Sequence, residues 1–333
     1  MVAPERKMSV GVLRSFVLHG VNMFSERSLQ LISKYPSQSQ RILLSGSSGL
    51  IGSHLLSFLN QAGHTVIRLV RNQESLNSIY WDPSRGIFQL KEFENFDVMI
   101  HLAGENIADK PWTKKRKELL KVSRCRDSLL LSQILFQLSH PPKVVICASA
   151  IGFYGSRGKE VLTEKSQKGN GFLADLCEQW EQSMVPLKSS GVRVVHARFG
   201  VVLSPVGGML KKLLLPFKLG LGGRIGSGDQ IMSWVGLDDV IGAIYHILMT
   251  QTLVGAVNIV APEPISQKGF AKMLAARLHR PAWIPIPDYI LRWVFGEMAD
   301  ELFLASAYVK GEKLLDSGYC FFDTDLGSFK LGL

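Results

Sequence analysis

Arg41-Ile-Leu-Leu-Ser-Gly46-Ser-Ser-Gly49-Leu-Ile-Gly52 places three glycines, three residues apart, directly behind a short apolar run. Residues 42–45 read as a buried strand. Residues 53–61 carry Leu55, Leu56 and Leu59 at helical spacing. Glycine between a strand and a helix meets three demands: a tight turn, close approach of the backbone to a pyrophosphate, and close packing of the helix on its strand. The helix N-terminus then turns free N–H groups and a positive dipole end toward phosphates. A glycine triplet alone is weak evidence. At the head of a βαβ pattern it predicts a dinucleotide loop.

The pattern continues outward from that loop. Residues 66–70, 98–102, 143–148, 192–197 and 256–260 read as further apolar strands, with helices expected over 113–138, opening at Thr113 as N-cap, and over 172–189. Apolar strands alternating with helices imply a parallel sheet covered on both faces, so the predicted fold class is α/β, a Rossmann-type doubly wound sheet. Residues 200–233 are Gly-rich and irregular, and 262–330 hold helices among prolines. We therefore expect three parts. They are an N-terminal arm or linker (1–40), a dinucleotide-binding domain (41–262) with a Gly-rich substrate-lobe insertion near 200–233, and a smaller α-rich C-terminal domain (263–333).

The second strand ends Leu69-Val70-Arg71, where an NAD site places an acidic residue for the ribose hydroxyls. Arginine there suits a 2′-phosphate, which predicts NADP(H); the plainer reading is a surface arginine. Alternation along the strand points Arg68 elsewhere.

The 333 residues are 46% hydrophobic, which excludes a disordered chain, and only 4 are cysteine, which excludes a disulfide scaffold. Cys125, Cys147, Cys177 and Cys320 lack metal-ligand spacing, so no metal is expected and a reducing, cytoplasmic setting is. No apolar run is long enough to span a bilayer. The formal net charge of +10 raises nucleic acid as a partner. Much of it sits in residues 110–126, however, with eight basic side chains against Glu118. A solvated helix face is the default reading of such a run, polyanion or cofactor-phosphate contact the alternative. No nucleic-acid module accompanies it, so none is expected as partner.

With the glycine loop, His101-Leu-Ala-Gly104 and Ala148-Ser149-Ala150 resemble the extended short-chain dehydrogenase/reductase superfamily. Gly104-Glu-Asn-Ile107, Trp112-Thr-Lys-Lys-Arg-Lys117 with Ser123-Arg124, Arg198-Phe-Gly-Val-Val-Leu203 and Pro216-Phe-Lys-Leu-Gly-Leu-Gly-Gly223 narrow the match. So do Ile225-Gly-Ser-Gly228 and Ser233-Trp234 before Asp238-Asp239. Together they look like an atypical, NADP-binding "epimerase family" branch whose bacterial members carry a C-terminal domain of unknown function. The resemblance spans about residues 41–328. Longer relatives carry an upstream START-related domain, of which residues 24–40 look like the end.

The resemblance implies that Gly46, Gly49, Leu50, Ile51 and Gly52 hold the pyrophosphate and Arg71 the 2′-phosphate. Leu102, Ala103, Gly104 and Glu105 would line the cofactor further along, and Ser149 would sit beside the nicotinamide. A strand-end hydroxyl satisfying the backbone is the alternative for Ser149. The superfamily's proton relay is a Tyr-x-x-x-Lys pair, and no tyrosine of this chain has a lysine four residues on. Against Gly171-Phe-Leu-Ala-Asp-Leu-Cys-Glu-Gln-Trp-Glu181 the two positions fall on Leu173 and Cys177.

Three readings stay open: Tyr154 as proton donor, a substrate that needs no strong base, or NADP(H) binding without turnover. Tyr154 also has a plainer reading, as a shaper of the cofactor pocket. Arg198 is read either as a clamp for an anionic substrate or as an internal ion pair with Asp238 or Asp239. Cys177 is expected to be a buried thiol, and His101, His196 and Trp234 to be structural. The expectation is therefore an oxidoreductase or epimerase-like enzyme acting on a small molecule, with a non-catalytic NADP(H)-dependent regulator as the alternative. Oligomeric state is not legible.

Overall fold

The computed structural model describes residues 26–35, 38–71 and 77–331. The chain divides into two compact units, residues 1–36 and 37–333. Within the first, helix α1 (Glu26–Lys34) is described. Residues 1–25 of the expected arm lie outside the described residues, as do 24, 25, 36 and 37 of the START-like remnant.

The second unit opens with strand β1 (Arg41–Ser45), whose Ile42, Leu43 and Leu44 are all buried. A strand apolar on both faces must be covered on both faces, and that requirement organises the whole sheet. Helix α2 (Leu50–Gln61), β2 (Thr65–Val70), β3 (Ser78–Tyr80) and β4 (Val98–His101) come next. Helices α3 (Lys114–Lys121) and α4 (Asp127–Phe136) lead to β5 (Val144–Ala150) and the two-residue β6 (Val161–Leu162). Helices α5 (Phe172–Gln182) and α6 (Val185–Lys188) precede β7 (Arg193–Phe199). Beyond it lie β8 (Val201–Ser204), α7 (Gly208–Lys218), β9 (Ile231–Met232), β10 (Trp234–Gly236), α8 (Leu237–Met249) and β11 (Gly255–Ile259).

Seven of these strands form one parallel sheet in the order β3-β2-β1-β4-β5-β7-β11. The direction of winding reverses between β1 and β4, so a crevice opens beyond their C-terminal ends, where ligands of such sheets bind. One face is covered by α4, whose Leu131, Ile134 and Leu135 join Leu43, Met99 and Val145 in a core cluster. On α2 and α8, Phe58 and Tyr245 meet edge-to-face with ring centroids 5.1 Å apart. The fold is the expected doubly wound Rossmann type.

Two expected helices are interrupted. The 113–138 helix starts as predicted, with Thr113 Oγ1 accepting the Arg116 N–H at 3.1 Å, but a π turn over Val122–Arg126 separates α3 from α4. The 172–189 helix breaks at Ser183-Met184, just before Pro186, which cannot continue its hydrogen-bond ladder.

The remainder is α-rich, with α9 (Gln267–Arg277), α10 (Asp288–Phe295) and α11 (Glu312–Asp316). Strands β12 (Ile265–Ser266) and β13 (Tyr308–Val309) pair back to β9 and β6. A second core cluster joins α7 and α9 around Trp234, Leu326 and Phe329, so Trp234 is core, with its Nε1–H donated to the Glu263 carbonyl. Among the described residues no helix is long and apolar enough to cross a membrane.

Asp239, in the first turn of α8, ties the C-terminal segment down. Its carboxylate accepts the N–H groups of Phe322 (2.8 Å) and Asp323 (2.9 Å) and the Tyr319 hydroxyl (3.1 Å). Burial pushes its pKa up to about 6 against those donors. Asp239→Ala strands three donors, so urea unfolding should show a loss of about 3 kcal/mol or more.

Candidate functional site

The crevice beyond β1 and β4 holds a cavity of about 570 Å³. Its floor is the glycine turn, and the reason for glycine is steric. A Cβ on Gly46, which has φ +72°, would lie 2.6 Å from the Leu102 carbonyl carbon. A Cβ on Gly52 would lie 2.1 Å from the Gly46 oxygen. The turn, the β4 end and the first turn of α2 therefore pack backbone on backbone. Gly49 is the N-cap of α2 and no side chain caps it, which leaves the first-turn N–H groups to an anion.

Gly46, Gly49, Arg71, Leu102, Ala103 and Gly104 all line the cavity. Leu50 and Ile51 begin α2, and Leu50 packs against Gly207, where the Gly-rich lobe comes down on the loop. Glu105 is placed differently. Its N–H donates to Ser123 Oγ, its carbonyl accepts from Arg124, and its carboxylate pairs with Arg116 at 3.0 Å. Arg68 lines the same cavity as Arg71, although alternation along the strand assigned it elsewhere. Ser123 and Asp127 line it too, from the π turn and the start of α4.

Polar side chains form a row across the sheet beneath the cavity. Ser45, His101, Cys147 and His196 stand in register on β1, β4, β5 and β7. His101 bridges Ser45 Oγ (2.7 Å) and Ser128 Oγ (2.9 Å), and Ser45 Oγ also accepts the Ala103 N–H. Burial lowers the His101 pKa to about 4, so the ring is a neutral spacer that fixes the loop.

A second row, two residues further along, gathers the chemistry predicted for the reaction centre. Ser149, Arg198 and Asn258 are in register on β5, β7 and β11. Glu181, on α5, closes over the first two. Ser149 Oγ donates to Glu181 Oε1 at 2.7 Å. Arg198 Nε and Nη2 bind the two Glu181 oxygens, each at 2.7 Å. Arg198 Nη1 donates to the Tyr154 hydroxyl at 2.9 Å, and that hydroxyl donates to Asn258 Oδ1 at 2.8 Å. The guanidinium also stacks 3.5 Å from the Phe153 ring centroid.

The partner of Arg198 is thus Glu181 rather than Asp238 or Asp239. Asp239 caps the C-terminal segment instead. Burial pushes the Glu181 carboxyl up, but Arg198 overrides that and holds it below the usual carboxylate range. Burial raises the Tyr154 pKa, only partly offset by Arg198.

Leu173 and Cys177, at the Tyr and Lys positions, lie one turn apart against Gly152. Burial raises the Cys177 thiol to about 12. Glu181 is the next residue on that face, four beyond Cys177. The Gly171–Glu181 stretch that carries the relay positions ends on this glutamate, so the i+4 step was the available signal. From the C-terminal lobe, Glu301 accepts the Phe172 and Leu173 N–H groups, each at 2.7 Å, and so caps α5.

Residues 42–259 match the NAD dependent epimerase/dehydratase family, and residues 286–329 match DUF1731, a domain of unknown function. The chain belongs to the NAD dependent epimerase/dehydratase family. An epimerase family protein of Mycobacterium bovis is 37% identical over 287 residues, covering 86% of this chain and 95% of that one. An epimerase family protein of Bacillus subtilis is 33% identical over 291 residues, covering 86% and 95%. The solved structure of human epimerase family protein SDR39U1 (isoform2) with NADPH superposes with a TM-score of 0.80 at 32% identity. That match covers 86% of this chain and 97% of the human one. UDP-glucose 4-epimerase of Thermotoga maritima, at 18% identity and a TM-score of 0.68, shares the fold.

Removing one member of the buried ion pair leaves the other uncompensated. Glu181→Ala should cost about 3–5 kcal/mol in urea unfolding, and Glu181→Leu combined with Arg198→Met should recover most of it.

Above pH 6.5 the buried neutral histidines carry no penalty. As pH falls toward 4 the unfolded chain takes up protons that His101 and His196, both near pKa 4, refuse. Each should therefore cost about 2 kcal/mol of stability between about pH 7 and about pH 5. His101→Gln should flatten the profile by that amount.

Proposed function

We propose that this chain is an NADP(H)-dependent oxidoreductase of the atypical short-chain dehydrogenase/reductase type, acting on a small molecule. The observation that carries the reading is the pairing of an uncapped, glycine-floored helix N-terminus with Arg71 and Arg68 at the far end of one cavity. The backbone void and the N–H groups fit a pyrophosphate, and two guanidinium groups fit a 2′-phosphate, with Asp127, which also lines the cavity, held by Arg126. The human relative solved with NADPH supports the same choice. Gly46, Gly49, Leu50, Ile51 and Gly52 would hold the pyrophosphate and Arg71 the 2′-phosphate, with Leu102, Ala103 and Gly104 along the cofactor's path. When bound, NADPH supplies a hydride.

The residues around the expected reaction centre restrict the substrate. Ser149 and Tyr154 both spend their protons on internal acceptors, and the relay positions are Leu173 and Cys177. Reduction of an activated double bond or an imine suits this arrangement, because no protein acid has to be held at a developing alkoxide. The same closed network favours a second reading, an NADP(H)-binding regulator without turnover. A panel of enones, imines and carbonyl compounds separates the two, since NADPH oxidation with any of them supports the enzyme.

Thermal unfolding tests the cofactor. Saturation at a hundred times Kd stabilises by about 2.7 kcal/mol. NADPH should raise the midpoint more than NADH, and Arg71→Ala should lower NADPH affinity about tenfold while leaving NADH affinity unchanged. No shift with either nucleotide overturns the proposal.

A further inference from the structure

Among the described residues, the most exposed large apolar side chains lie in the C-terminal segment. Trp293, on α10, is 87% exposed, Trp283, in the loop before it, 82%, and Tyr289 68%. Helix α10 is apolar on both sides. Leu291 and Phe295 hold it down, Phe295 against the Phe303 ring, while Tyr289, Trp293 and their neighbours face outward. Leu219 and Leu221, both exposed, extend the same surface. The residue between them, Gly220, lies against Pro281, and Gly223 packs on the Ile284 backbone. Isolated exposed apolar residues are ordinary, but two exposed tryptophans within one short segment, with exposed Ile284, Tyr289, Ile290 and Val294, mark an interaction site.

Basic groups outnumber acids around this face. The acids that border it each contact a cation: Asp288 and Asp300 share Arg292, and Glu297 pairs with Lys117 of α3, which leaves one negative charge in excess among these five groups. The Lys117–Glu297 contact sets α3 beside the end of α10, and Lys212 of α7 reaches Asp109 just ahead of the basic run. Within that run Arg116, Lys117 and Arg124 turn inward, whereas Lys110, Lys114 and Lys115 remain exposed. Lys218 and Arg280 add exposed charge on the other side.

We propose that this face docks on an anionic lipid bilayer. Indole and phenol rings partition to the headgroup level of a bilayer, and flanking basic residues are drawn to anionic headgroups. The complementarity lies in this combination of interfacial aromatics with a basic border whose neighbouring acids are already paired. It also gives the 110–126 charge run a role that the cofactor cavity leaves unassigned.

Flotation of the full chain tests this with vesicles of phosphatidylcholine alone and of phosphatidylcholine with about a third phosphatidylglycerol. The protein should float with the anionic vesicles at low salt, remain behind with neutral ones, and be released as salt rises. Trp283→Ser with Trp293→Ser, and separately Lys114→Gln with Lys115→Gln, should each weaken binding by about tenfold or more. All four positions are exposed, so an unchanged melting midpoint shows that the fold survives. Failure to float with either vesicle, or flotation indifferent to both double variants, overturns the proposal. So does a dimer in sedimentation velocity that the tryptophan variants abolish, since the face then belongs to a second copy.

Discussion

No side chain can stand between the glycine turn and the end of β4. The would-be Cβ of Gly46 meets the Leu102–Ala103 backbone, and that of Gly52 meets the Gly46 carbonyl. Three segments share one small volume only because two of them lack a Cβ. From that contact come the tilt of α2, the opening of the crevice at the β1/β4 reversal, and the bare N–H groups that face it. The neutral His101 bridge supports the contact from beneath, tying Ser45, and through it Ala103, to Ser128 on α4. Desolvation keeps that imidazole uncharged, so the charge beside the loop comes from the arginines at the β2 end and not from its floor.

The Ser149–Arg198–Asn258 row arises from a different constraint. Strands in a parallel sheet bring residues of equal register side by side, and three polar residues at the C-terminal edge must be satisfied together or not at all. Glu181 satisfies Ser149 and Arg198, and the Tyr154 hydroxyl and the Lys310 carbonyl satisfy Asn258. A buried ion pair of this kind seldom adds net stability over a hydrophobic pair, because desolvation offsets the Coulomb gain. Its consequence here is geometric. It locks α5 to β5 and β7 on the face where a Tyr/Lys relay would sit, and it draws the Ser149 and Tyr154 hydroxyls inward. The Glu301 cap on the same helix brings the C-terminal lobe into that arrangement.

The sequence made the parallel sheet and its glycine loop legible because each depends on local pattern. Continuous apolar runs, glycine spacing and an N-cap threonine all act within a few residues of themselves. The π turn at Val122–Arg126 was not legible, since an i→i+5 ladder leaves no mark in side-chain periodicity. Glu181 was missed for a related reason. A glutamate on a helix is ordinarily solvent-facing, and only the register of β5 and β7, set across some fifty residues of intervening chain, supplies it with Ser149 and Arg198. Arg68 was assigned away by a two-residue period, yet it lines the cavity with Arg71. Long-range register was the missing quantity for Glu181.

Residues 110–126 join two parts of the molecule that composition alone would treat as one charge run. Their inward members are spent near the cavity. Arg116 holds Glu105, and Arg124 lies over Trp180 beside Gly104, with burial lowering its pKa. Their outward members border the aromatic face of the C-terminal lobe. The segment therefore carries two kinds of basic side chain, some drawn inward to Glu105 and Trp180 and others exposed to solvent. A chain that needed the charge only for solubility would spread it over the surface. Concentrating it between the cavity and an apolar face fits a segment with one side built into the fold and the other open to a polyanion.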